Sequence, residues 1–206
     1  MTLVYLLGFA CILVVVWLGY GVKRIGAVSQ GEPIEARGGT ALLLIDLQSV
    51  FWDHGPYSDA AKHAAHAAIH REVEAARAQG HPVIALRQEW SIPATKVVAR
   101  LTMKGQAVAG SAGTELAHDF AALADHVIVK WVQDGFETGA LDVLLGELGV
   151  GTLRLAGLDF NYCVQKTALA ARNRGYSVTV VEDATLAAAP TQEAQKRMSG
   201  RGVAFA

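Results

Sequence analysis

Residues 152–183 read TLRLAGLDFNYCVQKTALAARNRGYSVTVVED, and this run limits the fold more than any other. Residues 153–156, LRLA, are apolar but for Arg154 and strand-like, and Gly157 ends them. A short turn leads to Cys163 at the mouth of an alanine-rich helix, which Gly175 stops. A second strand is expected over residues 177–181. Two strands joined through a helix form a crossover unit, and such units build parallel sheets. The turn also sets a cysteine where a strand hands over to a helix. The positive end of the helix dipole favours thiolate there, and thiolate is the nucleophilic form.

The same alternation runs through most of the chain. Strands are expected over residues 41–45, 82–86, 126–129, 152–156 and 177–181, with a short last one at 203–205. Helices are expected over 58–79, 114–124, 138–148, 164–174 and 191–199, the first with Ser58 as N-cap and Gly80 as its stop. This is the pattern of a Rossmann-like three-layer α/β domain, a mainly parallel sheet with helices on both faces. A chain of 206 residues is long enough for one such domain with a proper core.

The N-terminus is different. Residues 3–22, LVYLLGFACILVVVWLGYGV, carry no charge. A helix of that length covers about 30 Å, the thickness of a bilayer's hydrocarbon core. Trp17 and Tyr20 lie near its end, where interfacial aromatics belong, and Lys23 and Arg24 follow at once. A cleaved signal would need a basic start and a shorter apolar run. A buried core helix of this length would carry polar breaks. The reading is one transmembrane anchor over residues 1–24, a tether over 25–39 and a domain over 40–206. The positive-inside rule makes this a single-pass membrane protein with the domain in the cytoplasm.

The net charge of −1 gives no electrostatic case for nucleic acid. The two cysteines make no disulfide framework, which fits a reducing compartment.

In open parallel sheets ligands bind outside the carboxyl ends of the strands, near the point where strand order reverses. Three reactive groups fall at such ends. Asp46 closes ALLLI, Lys130 closes VIV, and Cys163 follows LRLAG by a turn. A thiol needs a base, which Asp46 supplies, and a cation that steadies the anion, which Lys130 supplies. The thiolate would attack a carbonyl carbon, and backbone N–H groups at the helix start, that of Cys163 among them, would receive the oxyanion.

Residues 40–206 resemble the isochorismatase-like cysteine hydrolases, which include nicotinamidases and N-carbamoylsarcosine amidohydrolases. LLLIDLQSVF is similar to that family's strand-Asp-x-Gln opening, VIVKWVQDGF to its strand-lysine segment, and AGLDFNYCVQKTALAARNRGYSVTVVEDA to its nucleophile turn, helix and closing strand. RQEWS and GSAGTEL are similar to two further segments. The resemblance implies a triad of Asp46, Lys130 and Cys163. It implies a sheet of order 3-2-1-4-5-6, with Lys130 starting about 9–10 Å from Asp46, two strand spacings away. It also implies a cis peptide at Leu158–Asp159 that aims the Asp159 and Cys163 amides at the oxyanion. Relatives commonly assemble into dimers or tetramers through this domain, so a homo-oligomer is compatible with it.

Two departures from the family pattern matter. Nicotinamidases carry Asp-x-His after the second strand, where this chain has Arg87-Gln88-Glu89-Trp90-Ser91; no metal and no cofactor are expected. Phe136-Glu137-Thr138-Gly139 stands where Phe-x-Gly-Thr is usual. The resulting expectation is a metal-independent hydrolase that cleaves the C–N bond of a small amide, imide or ureide through a Cys163 adduct. Two alternatives stay open: an isochorismatase-type vinyl ether hydrolase, and a non-catalytic tethered binding module. Candidate substrate contacts are Trp52, Trp90, Phe136 and Tyr162, each equally a core residue, and Gln48, which either lines the pocket or braces the turn. His63, His66 and His70 share one flank of the first domain helix and read as a solvated side.

Overall fold

The computed structural model describes residues 2–206, and side-chain environments from Tyr5 onward. Six parallel strands form one sheet in the order β3-β2-β1-β4-β5-β6. They are β1 (Gly39–Ile45), β2 (Val83–Gln88), β3 (His126–Lys130), β4 (Val150–Gly157), β5 (Ser177–Thr185) and β6 (Ala204–Phe205). The chain turns back between β1 and β4, so their carboxyl ends flank the switch point.

Successive side chains of β1 point to opposite faces, which explains its unbroken apolar run. Leu43 and Ile45 enter one core with Leu86, Leu153, Leu155, Ala168 and Met198. Leu42 and Leu44 enter the other with Ile69, Val73, Phe120 and Ala156. The first core lies under α5 (Ala140–Glu147), α6 (Gln165–Asn173) and α7 (Gln192–Ser199). The second lies under α3 (Asp59–Ala78), whose N-cap Ser58 accepts from the Ala61 amide at 3.2 Å. Both faces of the sheet are therefore covered.

The N-terminal helix, α1 (Thr2–Ile25), is apolar over Tyr5–Ile25 and long enough to cross a membrane. Its last two turns pack on α4 (Pro93–Thr102). Leu18, Gly21 and Ile25 form a stripe at helical spacing that meets Val98, Ala99 and Trp90 in a third cluster. Gly21 is required there, since a Cβ at that position would lie 3.0 Å from the Ala94 backbone. Arg24 pairs with Glu137.

The segment after α1 is not a free tether. Ser29 donates its amide to Asp134 at 2.7 Å and accepts from Asn173 and Arg174, and the Ile34 amide donates to the Arg174 carbonyl at 2.8 Å. Four polar contacts to buried or half-buried partners hold it on the domain.

Two further elements differ from expectation. Residues 114–124 contain only a short 3-10 turn, His118–Phe120, because Ala117, Phe120 and Leu123 recur every third residue and seat that turn under α3. α4 was not legible at all, since its first turn opens with Pro93 and its body is rich in β-branched residues. A short α2 (Ser49–Trp52) leads out of β1.

Candidate active site

Asp46 follows the last residue of β1 in a left-handed conformation, φ 55°, and is 2 % exposed. A non-glycine residue held there costs on the order of 1–3 kcal/mol, which the ladder bond from the Asp46 amide to the Leu86 carbonyl, 2.9 Å, helps to offset. β1 and β4 meet closely at this point: a Cβ on Gly157, φ 117°, would stand 2.2 Å from the Ile45 carbonyl oxygen. Only glycine lets β4 pass and turn.

Lys130 ends β3, two strands away, and is fully buried. Its stem crosses beneath β2, and Nζ donates to Asp46 Oδ2 at 3.0 Å and to Cys163 Sγ at 3.3 Å. The strand between them supplies Gln88, whose Oε1 accepts from the same Nζ at 2.6 Å. Gln48 does not line a pocket. It is buried, donates to the Gln88 and Thr114 carbonyls, and accepts the Gln88 amide at 2.6 Å. It thereby ties the ends of β1 and β2 together.

Cys163 sits in a single wide turn, Phe160–Val164, that opens into α6. The Leu158–Asp159 peptide before it is cis. The Asp159 carboxylate braces this turn: Oδ1 accepts the Asn161 amide at 2.8 Å, and Oδ2 accepts the Ala188 amide at 2.7 Å and the Tyr57 hydroxyl at 3.1 Å. Tyr57 is invisible as a site residue in the sequence, because it lies in the β1–α3 connection with no pattern around it.

The sulfur, Asp46 and Gln88 form the floor of a cavity of about 470 Å³. Its walls include Phe51, Tyr57, Trp90, Met103 and Tyr162. Trp90 and Tyr162, two of the candidate contacts, are on this wall. Trp52 is not: it packs edge-on against Phe120, 4.7 Å between ring centroids, in the core beneath α3. Nor is Phe136, which is buried against Tyr176 and lies 4.6 Å beneath the Arg174 guanidinium. His66 and His70 lie tilted against Phe120, 5.6 and 6.3 Å between ring centroids.

Burial pushes the Asp46 carboxyl up, and Lys130 only partly restrains that rise. Burial, the largest influence on Lys130, works the other way, but its carboxylate and sulfur partners together outweigh it and keep the ammonium protonated. The thiol is pushed well up, first by burial and then by the Asp46 charge, against the pull of Lys130. The helix-start position predicts a standing thiolate. The structure supports a different resting state, in which a neutral thiol faces a carboxylate–ammonium pair. Among the described residues Asp46 Oδ1 is buried with no hydrogen-bond partner.

The residues do not fit a catalytic metal. After β2 the stretch that would carry ligands offers Arg87, paired with Glu89 at 2.8 Å, and Gln88, committed to Lys130. Among the described residues no three His, Cys, Asp or Glu side chains converge.

A doubly wound parallel sheet with a cleft at its strand ends, beside the switch point, defines an α/β domain of the Rossmann-like type. Residues 40–204 match the Isochorismatase domain family, and the chain belongs to that family and is a hydrolase. It is 28 % identical to the ureidoacrylate amidohydrolase RutB of Stutzerimonas stutzeri (strain A1501), over 84 % of this chain and 82 % of that protein. The N-carbamoylsarcosine amidase of Thermoplasma acidophilum superposes with a TM-score of 0.68 at 27 % identity, covering 82 % of this chain and 95 % of that one. The pyrazinamidase of Pyrococcus horikoshii, solved in complex with zinc, has the same fold: its TM-score is 0.69 at 23 % identity, covering 82 % and 99 % of the two chains.

Proposed function

We propose that the chain is a metal-independent cysteine hydrolase that cleaves the C–N bond of a small amide, imide or ureide. The observation that carries this reading is a single ammonium, Lys130 Nζ, touching both Asp46 and Cys163 at the floor of an open cavity. The similarity to an amidohydrolase and an amidase supports the choice of bond.

The steps follow from the resting charges. As Sγ attacks the carbonyl carbon, Asp46 takes the thiol proton, and Lys130 holds both the new carboxylic acid and the departing sulfur charge in place. The oxyanion is received by the backbone amides of Asp159 and Cys163. Collapse breaks the C–N bond, and Asp46 returns its proton to the leaving nitrogen. A thioester, or its carbamoyl counterpart for a ureide, remains on Cys163. Water then gives a proton to Asp46 and attacks the thioester, and the acid leaves as sulfur regains the proton. The net change is addition of one water across one C–N bond.

The apolar wall of Phe51, Trp90, Met103 and Tyr162 suits a compact substrate with one hydrogen-bonding end. α1 anchors the chain in a membrane, with Lys23 and Arg24 marking the cytoplasmic boundary. The test is a panel of primary amides, imides and ureides assayed with the full chain for amine or ammonia release, beside Cys163→Ala. Turnover of at least one class, absent in the variant, is expected; turnover that persists in the variant contradicts the reading.

A further inference from the structure

The stretch from Trp90 to Thr114 contains Lys96, Arg100 and Lys104 and no acidic residue, in a chain whose net charge is −1. Most of it is α4 and the turn that follows. α4 buries Ala94, Thr95, Val98 and Ala99, and turns Arg100 and Leu101 outward, with Lys96 and Val97 half-exposed; Lys104 is exposed in the turn that follows. Leu101 is 70 % exposed, flanked by the two outward cations. An apolar side chain standing out among cations, in a stretch without an acid, is the surface an interfacial helix offers to a lipid headgroup layer.

The position of α1 supplies the second, independent observation. Leu18, Gly21 and Ile25 dock on the α4 cluster, so α4 lies level with that part of α1. At the same level the outward side of α1 is Tyr20, 53 % exposed, and Val22, 60 % exposed, with Gly19 beside them. A helix standing in water would present polar residues on that side. Here the uncharged run continues alongside the docking stripe as far as Val22, and the first cation, Lys23, comes before the stripe ends at Ile25. The level of α4 is therefore the level at which the apolar span ends.

We propose that α4 is a second membrane contact, lying in the headgroup layer of an anionic bilayer with Leu101 inserted and Lys96, Arg100 and Lys104 on phosphate or carboxylate groups. The proposal rests on α1 as a membrane span. It has a consequence for the site: Thr102 and Met103, directly after Leu101, line the Cys163 cavity, so the mouth opens beside the lipid surface.

The full chain tests this in nanodiscs of phosphatidylcholine, with and without phosphatidylserine. In a Cys11→Ser, Cys163→Ser background, a fluorophore is placed at Leu101→Cys or, as a control, at Glu74→Cys, an exposed position near the far end of α3. Lipids spin-labelled near the headgroup serve as quenchers. The expected result is several-fold stronger quenching at 101 than at 74, raised by phosphatidylserine and lowered by added salt. Equal quenching in discs that retain the chain overturns the proposal alone. So does shielding of 101 from aqueous iodide without lipid quenching, which would mean that a second copy covers the face. Loss of the chain from the discs under salt overturns the span and the proposal together.

Discussion

Lys130 Nζ lies 3.3 Å from Cys163 Sγ and 3.0 Å from Asp46 Oδ2, and the three side chains come from β3, β4–α6 and β1. Stability alone does not account for a buried ammonium shared between a carboxylate and a sulfur. Water would solvate it better, and apolar side chains would pack more stably.

Lys130→Met tests that cost. Removal of one partner of a buried ion pair leaves the other unpaired, and typically costs about 3–5 kcal/mol. Turnover should be lost, and unfolding by urea should show a destabilisation of that order at neutral pH. The loss should shrink in acid, where Asp46 protonates and its charge disappears. A variant as stable as the parent at neutral pH would contradict the pairing.

Asp46→Asn separates the base from the nucleophile. The Asp46 charge is one of the causes that push the Cys163 thiol up, while Lys130 pulls it down. Removing the carboxylate leaves sulfur beside an uncompensated ammonium. The variant should be inactive, yet its Cys163 should react with iodoacetamide faster than the parent's, for which slow labelling near neutral pH is expected because its thiol is buried and protonated. Slower labelling in Asp46→Asn than in the parent would contradict the charge assignment.

The pH profile follows from the same shifts. Burial raises the Asp46 carboxyl above 3.8, so its base form is lost at a higher pH than an ordinary carboxylate's. The acid limb of kcat/KM should therefore lie above the usual carboxylate range, as an apparent value of the coupled site. Lys130 is raised above 10.5 by its partners against the pull of burial. A folded value above the unfolded one gives stability that is complete below the unfolded value and is lost as pH rises through the folded one. Asp46 has the same sign, so its share falls as pH climbs from 3.8 through its folded value. Stability and rate measured across the range should thus diverge in mild acid: stability holds while turnover falls.

Gly21→Val tests the seat of α1. A Cβ there meets the Ala94 backbone at 3.0 Å, and overpacking of this kind costs about 1–3 kcal/mol. The expected outcome is faster proteolysis within residues 26–38, with the sheet domain still folded by circular dichroism. Unchanged protection of that segment would mean that the docking contributes nothing.

The parts of this architecture that the sequence made legible are those governed by one-dimensional pattern. Apolar runs bounded by Gly157, Gly175 and Gly80 marked strand and helix ends within a few residues, and the charged side chains that end β1 and β3 stood out against those runs. What the pattern could not give was direction across space. Trp52 and Phe136 lie near site residues in sequence, yet one points under α3 and the other toward Arg174. Gln88 was passed over because a glutamine at a strand end looks ordinary until the lysine two strands from Asp46 has to cross the strand that carries it. The contacts of residues 25–39 are hidden for a similar reason: polar, unpatterned composition does not exclude specific partners such as Asp134 and Arg174.

The central claim is a covalent intermediate on sulfur, and peptide mass spectrometry of the full chain, quenched in acid during turnover of a slow amide, tests it most directly. The account predicts an acyl or carbamoyl mass on the Cys163 peptide that disappears as substrate is exhausted and never forms in Cys163→Ala. Steady turnover with Cys163 unmodified at every time point, and undiminished in Cys163→Ala, would contradict it.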